Sequence, residues 1–147
     1  PRFVAPKPIR EPMVYYPAGP SCDFDGDGRI DLFLVNWFPG NWCRLLKNDT
    51  PGGNWLDVKV KGSKINAAGI GSQIAVYRAG QIGKPEALLG FQEITIGYGY
   101  ASGQLPIAHF GLGKVDEADV LTRLPNGTKI ETKGVRAGKT LVVEEPK

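Results

Sequence analysis

The sequence predicts an all-β protein, an antiparallel β-sandwich of the jelly-roll or immunoglobulin-like type, and three observations lead to this prediction. Twenty Gly and twelve Pro occur in 147 residues, which is nearly twice the ~12% share of an average protein. Within Trp55–Lys61 apolar and charged side chains alternate, a pattern typical of a half-buried strand. Comparable short segments recur along the chain with Gly-rich turns between them, as in sandwiches and jelly rolls.

Nine segments are predicted to be strands, because β-branched, aliphatic and aromatic residues dominate them and turn residues flank them. In chain order they are residues 31–36, 42–47, 55–61, 72–78, 87–96, 105–110, 119–124, 129–132 and 140–144. The tripeptide at 125–127, Pro-Asn-Gly, predicts a tight hairpin turn.

Three regions are expected along the chain. Residues 1–20 contain six of the twelve prolines together with many apolar side chains. Proline disfavours both a helix and a central strand, so this region is interpreted as an extended N-terminal arm that docks on another surface. Residues 21–53 form a metal-binding hairpin that ends in a turn cluster rich in Gly and Asn. Residues 54–147 form the sandwich.

Composition and charge argue against two classes of function. The net charge is only +3, from 18 basic and 15 acidic residues, and the basic residues are scattered. A nucleic-acid interface needs clustered positive charge, so no nucleic-acid partner is expected. No apolar run is long enough to span a bilayer. The chain starts with Pro1 rather than Met, so a processed product or a fragment is expected.

One short acidic segment predicts a calcium site. Its side-chain ligands would be Asp23, Asp25, Asp27 and Asp31, and its backbone ligand the carbonyl of Arg29. Ca²⁺ takes six to eight oxygen ligands, and Asp31 can offer both carboxylate oxygens. The alternative is an ordinary acidic turn without a metal, but four carboxylates this close would repel one another there. Mg²⁺ is the weaker candidate because it prefers to keep its waters.

The acidic segment is not an EF-hand, because the position of that motif's bidentate Glu is occupied by Leu34. A strand rather than a helix is expected after the acidic segment. All ligand positions are taken by protein oxygens, so the ion is expected to hold the shape of the loop rather than to activate a water molecule.

Cys22 and Cys43 are the two cysteines of the chain. A hairpin would bring them together, so a disulfide is predicted, with two free thiols as the alternative. Such a bridge would stabilise the fold by roughly 3 kcal/mol on the chain-entropy model. An oxidising, extracellular location would suit both the bridge and the calcium site.

Two resemblances cover most of the chain after residue 20. The pattern Asp-x-Asp-Gly-Asp-Gly-x-x-Asp-Leu at 23–32, followed by Arg-Leu-Leu-Lys-Asn at 44–48, resembles an FG-GAP/VCBS repeat over about residues 20–50. Trp55–Ser72, Gly97–Ser102, His109–Gly113 and Leu124–Gly127 resemble the ASPIC/UnbV domain over about residues 54–145, as in secreted proteins of the cartilage acidic protein type. The first resemblance implies calcium in the acidic loop. Together they imply an extracellular module without a defined catalytic activity.

A non-enzymatic structural or adhesive function follows, with calcium as the cofactor. His109, the sole histidine, is expected to be structural and satisfied by backbone. The protein is expected to assemble with copies of itself, as an oligomer or filament, by adding its arm as a strand to a neighbour's sheet.

The alternative is a carbohydrate-binding or enzyme-accessory module with structural calcium, whose partner would be a glycan. An exposed aromatic platform would favour this alternative, although core packing is expected for most of the candidate rings. These rings are Trp37, Phe38, Trp42, Tyr98 and Tyr100.

Overall fold

The all-β prediction is confirmed by the computed structural model, which describes residues 16–100 and 102–147. The predicted arm over residues 1–20 therefore lies largely outside the described residues. Within these ranges a short 3₁₀ turn, Pro85–Ala87, accompanies the strands, and no helix there could cross a membrane. The strands are β1 (Ser21–Cys22), β2 (Asp31–Leu34), β3 (Arg44–Leu46), β4 (Asn54–Lys61), β5 (Gln73–Arg78), β6 (Leu88–Glu93), β7 (Ala108–Gly113), β8 (Glu117–Arg123), β9 (Lys129–Arg136) and β10 (Lys139–Glu144).

Two of the sheets share one hydrophobic core and form the sandwich. The first has the order β10-β4-β7 and the second the order β6-β5-β8-β9. Strand β4 supplies Leu56, Val58 and Val60 to this core, with 0, 0 and 5% exposure. Ile74 and Val76 of β5 face them from the second sheet and are fully buried. The alternation predicted for β4 is thus confirmed, because every second side chain points into the layer between the sheets.

One pairing departs from an all-antiparallel sandwich. Strand β10 runs parallel to β4, with Lys139 opposite Leu56, whereas β7 on the other side of β4 is antiparallel. Parallel neighbours cannot be joined by a short hairpin, and most of the domain lies between these two strands in sequence. The first sheet is therefore mixed.

The C-terminal end is held by a carboxylate that lies just after β10. The Glu145 side chain is 6% exposed and accepts hydrogen bonds from the backbone amides of Lys64, Ser63 and Ile65 at 2.6, 2.7 and 3.0 Å. The side-chain amide of Asn126 donates a fourth at 2.9 Å. These backbone bonds, led by that from Lys64, lower the pKa of Glu145 to about 2, because they favour the charged form.

The third sheet, which we call the small sheet, has the order β1-β2-β3 and is antiparallel throughout. Its β1–β2 loop, residues 23–30, touches the sandwich at Gly28. A Cβ atom on Gly28 would lie 1.9 Å from Cδ1 of Trp55 on β4, so only glycine allows this approach. The acidic loop is thereby placed against the first sheet of the sandwich.

The predicted disulfide is not formed, since Cys22 and Cys43 are both free and exposed. Cys22 lies opposite Asp31 on β2, whereas Cys43 precedes Arg44, which lies opposite Leu34. The two cysteines therefore lie on opposite sides of β2 and near opposite ends of it, roughly 16 Å apart by strand spacing and rise. A disulfide needs Cα atoms within about 7 Å. The prediction failed because it assumed adjacent strands.

Candidate functional site

The acidic loop between β1 and β2 brings three of the predicted ligands together. Asp23, Asp25 and Asp27 each offer a carboxylate oxygen, and these oxygens lie within 4.8 Å of one another. Gly26 and Gly28 have φ values of 75° and 83°, which lets the backbone curl tightly round the carboxylates. Three like charges this close repel one another, so a cation between them is favoured.

The loop is held in shape by its own hydrogen bonds. The Asp23 carboxylate accepts the backbone amides of Gly26, Asp27 and Gly28 at 2.8, 3.0 and 2.7 Å. The Asp27 carboxylate accepts the backbone amide of Arg29 at 2.9 Å. The oxygen cluster is therefore preorganised by the backbone.

A lysine that was not predicted to belong to the site supplies positive charge to the cluster. The Lys47 ammonium contacts the Asp25 carboxylate and lies 3.5 Å from Oδ2 of Asp27. The hydrogen bond from Lys47 lowers the pKa of Asp25, and the same bond raises the pKa of Lys47. The Lys47 side chain is 44% exposed, so it can withdraw into solvent.

The other two predicted ligands have different contacts. Asp31 is only 2% exposed, and its two oxygens accept the backbone amides of Phe24 and Asn48 at 3.2 and 2.7 Å. It does not belong to the oxygen cluster found among the described residues. The guanidinium of Arg29 contacts Asp27 and donates from Nε to the carbonyl of Asn48 at 2.5 Å. Both residues tie the loop to the segment after β3.

The donor set fits a hard divalent cation. Asp23, Asp25 and Asp27 would supply carboxylate oxygens, the ligand type that Ca²⁺ prefers. Their separation allows them to share one ion, and the loop backbone is already fixed around them.

A cleft of about 460 Å³ lies beside this loop, between the small sheet and the sandwich. The small sheet and its loop line it with Ser21, Cys22 and Asp23, and the rest of the chain lines it with residues that include Gln92, Gln104 and His109. Its volume is within the ~300–1,000 Å³ range of ligand pockets. The sequence did not predict this cleft, because it depends on how the small sheet and the sandwich pack.

His109 in this cleft is paired with a carboxylate, not with backbone as expected. Its Nδ1 lies 2.7 Å from Oδ1 of Asp57, because the two residues are cross-strand partners on β7 and β4. The ring also stacks on Trp55, with ring centroids 6.1 Å apart and an interplanar angle of 18°. A carboxylate can only accept a hydrogen bond, so Nδ1 carries a proton and donates it to Asp57. The pattern of the sequence gave no signal for Asp57 beyond its outward position on β4.

The aromatic candidates are exposed, so the expectation of core packing was wrong. Trp37 and Tyr100 are 51 and 67% exposed, and their rings lie 6.1 Å apart at an angle of 58°. Phe38, Trp42 and Tyr98 are also exposed, at 49, 80 and 59%.

Comparison with known proteins identifies the C-terminal region of the chain. The family described as ASPIC and UnbV matches residues 62–147. Cartilage acidic protein 1 of Xenopus tropicalis is 35% identical over 130 residues, which cover 82% of this chain and 18% of that protein. The same protein of Homo sapiens is 33% identical, covering 82 and 17%. The chain thus spans less than a fifth of these relatives' length. It belongs to the ASPIC and UnbV family.

Proposed function

We propose that this chain is a non-enzymatic, extracellular structural module whose acidic loop binds Ca²⁺ in the manner of an FG-GAP/VCBS repeat. The observation that carries the proposal is the cluster formed by Asp23, Asp25 and Asp27, with oxygens within 4.8 Å of one another. On binding, the ion displaces the Lys47 ammonium from Asp25. The loop adjoins the sandwich at Gly28 and Trp55, so the ion strengthens the junction between the small sheet and the sandwich.

The extracellular location rests on two supports. The relatives carry a name that refers to cartilage, a tissue rich in extracellular matrix. A Ca²⁺ loop with few ligands also suits the high calcium concentration outside cells, where modules bind with dissociation constants of ~10⁻⁴–10⁻³ M. A structural role is favoured over catalysis, because among the described residues neither Ser21 nor Cys22 of the cleft is hydrogen-bonded to the His109 ring, as an activated nucleophile would be.

A thermal melt tests the calcium proposal. Ion that binds the folded state stabilises it by mass action, by about 2.7 kcal/mol at one hundred times the dissociation constant. The melting temperature should therefore rise with added Ca²⁺ and fall with chelator. Asp25→Ala should melt like the chelated protein and not respond to Ca²⁺. A wild-type melt that does not respond to either addition would refute calcium binding.

Self-assembly through the N-terminal arm belongs to the same proposal. Among the described residues, the second sheet ends in β9 and β6. Strand β9 carries several charged side chains, which discourage edge pairing. Strand β6 lacks Lys and Arg, and its Leu88 and Phe91 are 43 and 57% exposed. Of these two edges, the edge of β6 is therefore the one that suits an apolar arm from a neighbouring copy.

Sedimentation and electron microscopy test the assembly. Removal of residues 1–15 should leave a folded monomer that still contains Tyr16, whose hydroxyl donates to the Trp42 carbonyl at 3.3 Å. Phe91→Lys should also give monomer, because it puts a charge on the acceptor edge. Glu131→Lys on β9 is the matched control and should leave assembly unchanged. Polymer that persists in both the deletion and Phe91→Lys would overturn this route.

Glycan binding is the second candidate function, and the exposed Trp37–Tyr100 pair favours it. Aromatic faces offer apolar area at low entropic cost for a sugar ring. Binding to a glycan array that Trp37→Ala or Tyr100→Ala abolishes would support it. An array without any bound glycan would exclude this candidate.

A further inference from the structure

The cleft beside the acidic loop has the polarity of a site for a ligand without negative charge. Among its described lining residues there is no Lys or Arg, so no fixed cation would hold a phosphate or carboxylate. Its acidic side chains are Asp23, Asp57 and Glu93. Two of these are already engaged, since Asp23 accepts three backbone amides and Asp57 accepts from His109. An anion would therefore be repelled, whereas a ligand with hydroxyl groups could donate to the remaining acceptors.

One lining group has an unmet hydrogen-bonding capacity. The side-chain oxygen of Gln104 is buried without a hydrogen-bond partner among the described residues. Its amide nitrogen is held by the carbonyl and the hydroxyl of Ser21 at 3.2 and 3.3 Å, which fixes the orientation of the amide. A buried acceptor left without a donor costs about 1–3 kcal/mol, and this oxygen is also shielded from solvent. A ligand hydroxyl that enters the cleft wall at Gln104 would supply the missing donor.

The remaining walls combine aromatic, apolar and hydroxyl surfaces. Tyr98 lines the cleft and is 59% exposed, so its ring can cover one face of a ligand. Ile30 and Ile107 add apolar area, and Thr95 adds a hydroxyl group. Alternating donors and acceptors next to an apolar ring face are what a pyranose requires, because its hydroxyls and its C–H face must both be matched.

We propose that this cleft binds a neutral saccharide, with the Gln104 side-chain oxygen accepting from a sugar hydroxyl and the Tyr98 ring packing on the sugar face. The inference deepens the second candidate function, glycan binding, on which it rests, by adding a sugar position in the cleft that is separate from the Trp37–Tyr100 pair. His109 also lines the cleft. The cleft also adjoins the acidic loop at Asp23.

An NMR titration of the full chain in saturating Ca²⁺ tests the inference. The probes are galactose, glucose, mannose and N-acetylglucosamine, with glucuronate as the anionic control. At least one neutral sugar should shift the resonances of Gln104 and Thr95, and glucuronate should bind less tightly than glucose. Gln104→Ala and Tyr98→Ala should each weaken binding about five-fold, the equivalent of ~1 kcal/mol.

Gln81→Ala is the matched control, because Gln81 lies in the turn after β5 and outside the cleft. It should leave sugar binding unchanged. The cleft is overturned as the site if Trp37→Ala and Tyr100→Ala abolish binding while Gln104→Ala and Tyr98→Ala do not. Absence of binding by all neutral sugars, or tighter binding of glucuronate than of glucose, also overturns it. The calcium-dependent melt is measured on the same sample, so a failure to bind Ca²⁺ can be told apart from a failure to bind sugar.

Discussion

Replacing Gly28 by Ala should separate the acidic loop from the sandwich. The added Cβ would lie 1.9 Å from Cδ1, 2.2 Å from Nε1 and 2.6 Å from Cγ of Trp55. The indole cannot simply turn away, because it stacks on His109, which in turn contacts Asp57. Either Trp55 or the loop must therefore move.

The expected destabilisation has two components. Gly28 has a φ of 83°, and a side chain in this left-handed region costs roughly 1–2 kcal/mol. Forcing an extra carbon into a packed contact adds about 1–3 kcal/mol. Gly28→Ala should thus lower the free energy of unfolding by roughly 2–5 kcal/mol in total.

Gly26→Ala is the matched control, because Gly26 has a similar φ of 75° but nothing within 4 Å of the added carbon. It should cost only the conformational component, roughly 1–2 kcal/mol. Urea denaturation followed by tryptophan fluorescence measures both variants. If Gly28→Ala is no more destabilising than Gly26→Ala, the loop does not press on Trp55 as described.

Three further predictions concern the sandwich and the thiols. Glu145→Gln should reduce stability at neutral pH more than Glu144→Gln does. Folding lowers the pKa of Glu145 from 4.5 to about 2. The stabilisation of the folded state by the charged Glu145 side chain is therefore complete above pH 4.5 and is lost as the pH falls towards 2. Equal stabilities of the two variants at pH 7 would contradict this. Leu56→Ala, at a fully buried position, should lower the free energy of unfolding by ~2–5 kcal/mol. Val142→Ala, at a position that is 52% exposed, should lower it by less than ~1 kcal/mol. Similar losses for the two variants would refute the proposed core. Both thiols should react with a thiol reagent in the folded protein, and a mass gain of two hydrogens on reduction would reveal a disulfide instead.

The strands could be predicted because their signals are local. The alternation within β4 shows in consecutive residues, and the structure buries Leu56 and Val58 completely. The acidic cluster was also local, since Asp23, Asp25 and Asp27 occur at every second position of one loop. Such patterns depend only on residues close in sequence, so they can be recognised without knowledge of the tertiary fold.

The contacts that could not be predicted join residues far apart in sequence. Asp57 meets His109 only because β4 pairs with β7 in one register. Lys47 reaches Asp25 because β3 runs beside β2. A register between distant strands is set by tertiary packing, and a shift of one residue would turn each side chain to the opposite face. The disulfide prediction was wrong for the same reason, because it depended on which strands lie next to each other.

Calorimetric titration with Ca²⁺ shows directly whether the cluster of Asp23, Asp25 and Asp27 binds the ion. We expect one bound ion per chain, loss of the heat signal in Asp25→Ala, and an unchanged signal in Asp49→Ala, which alters an exposed acidic residue outside the cluster. Calcium binding at this cluster would be refuted if the wild-type chain bound no Ca²⁺, or if Asp25→Ala bound it as well as Asp49→Ala.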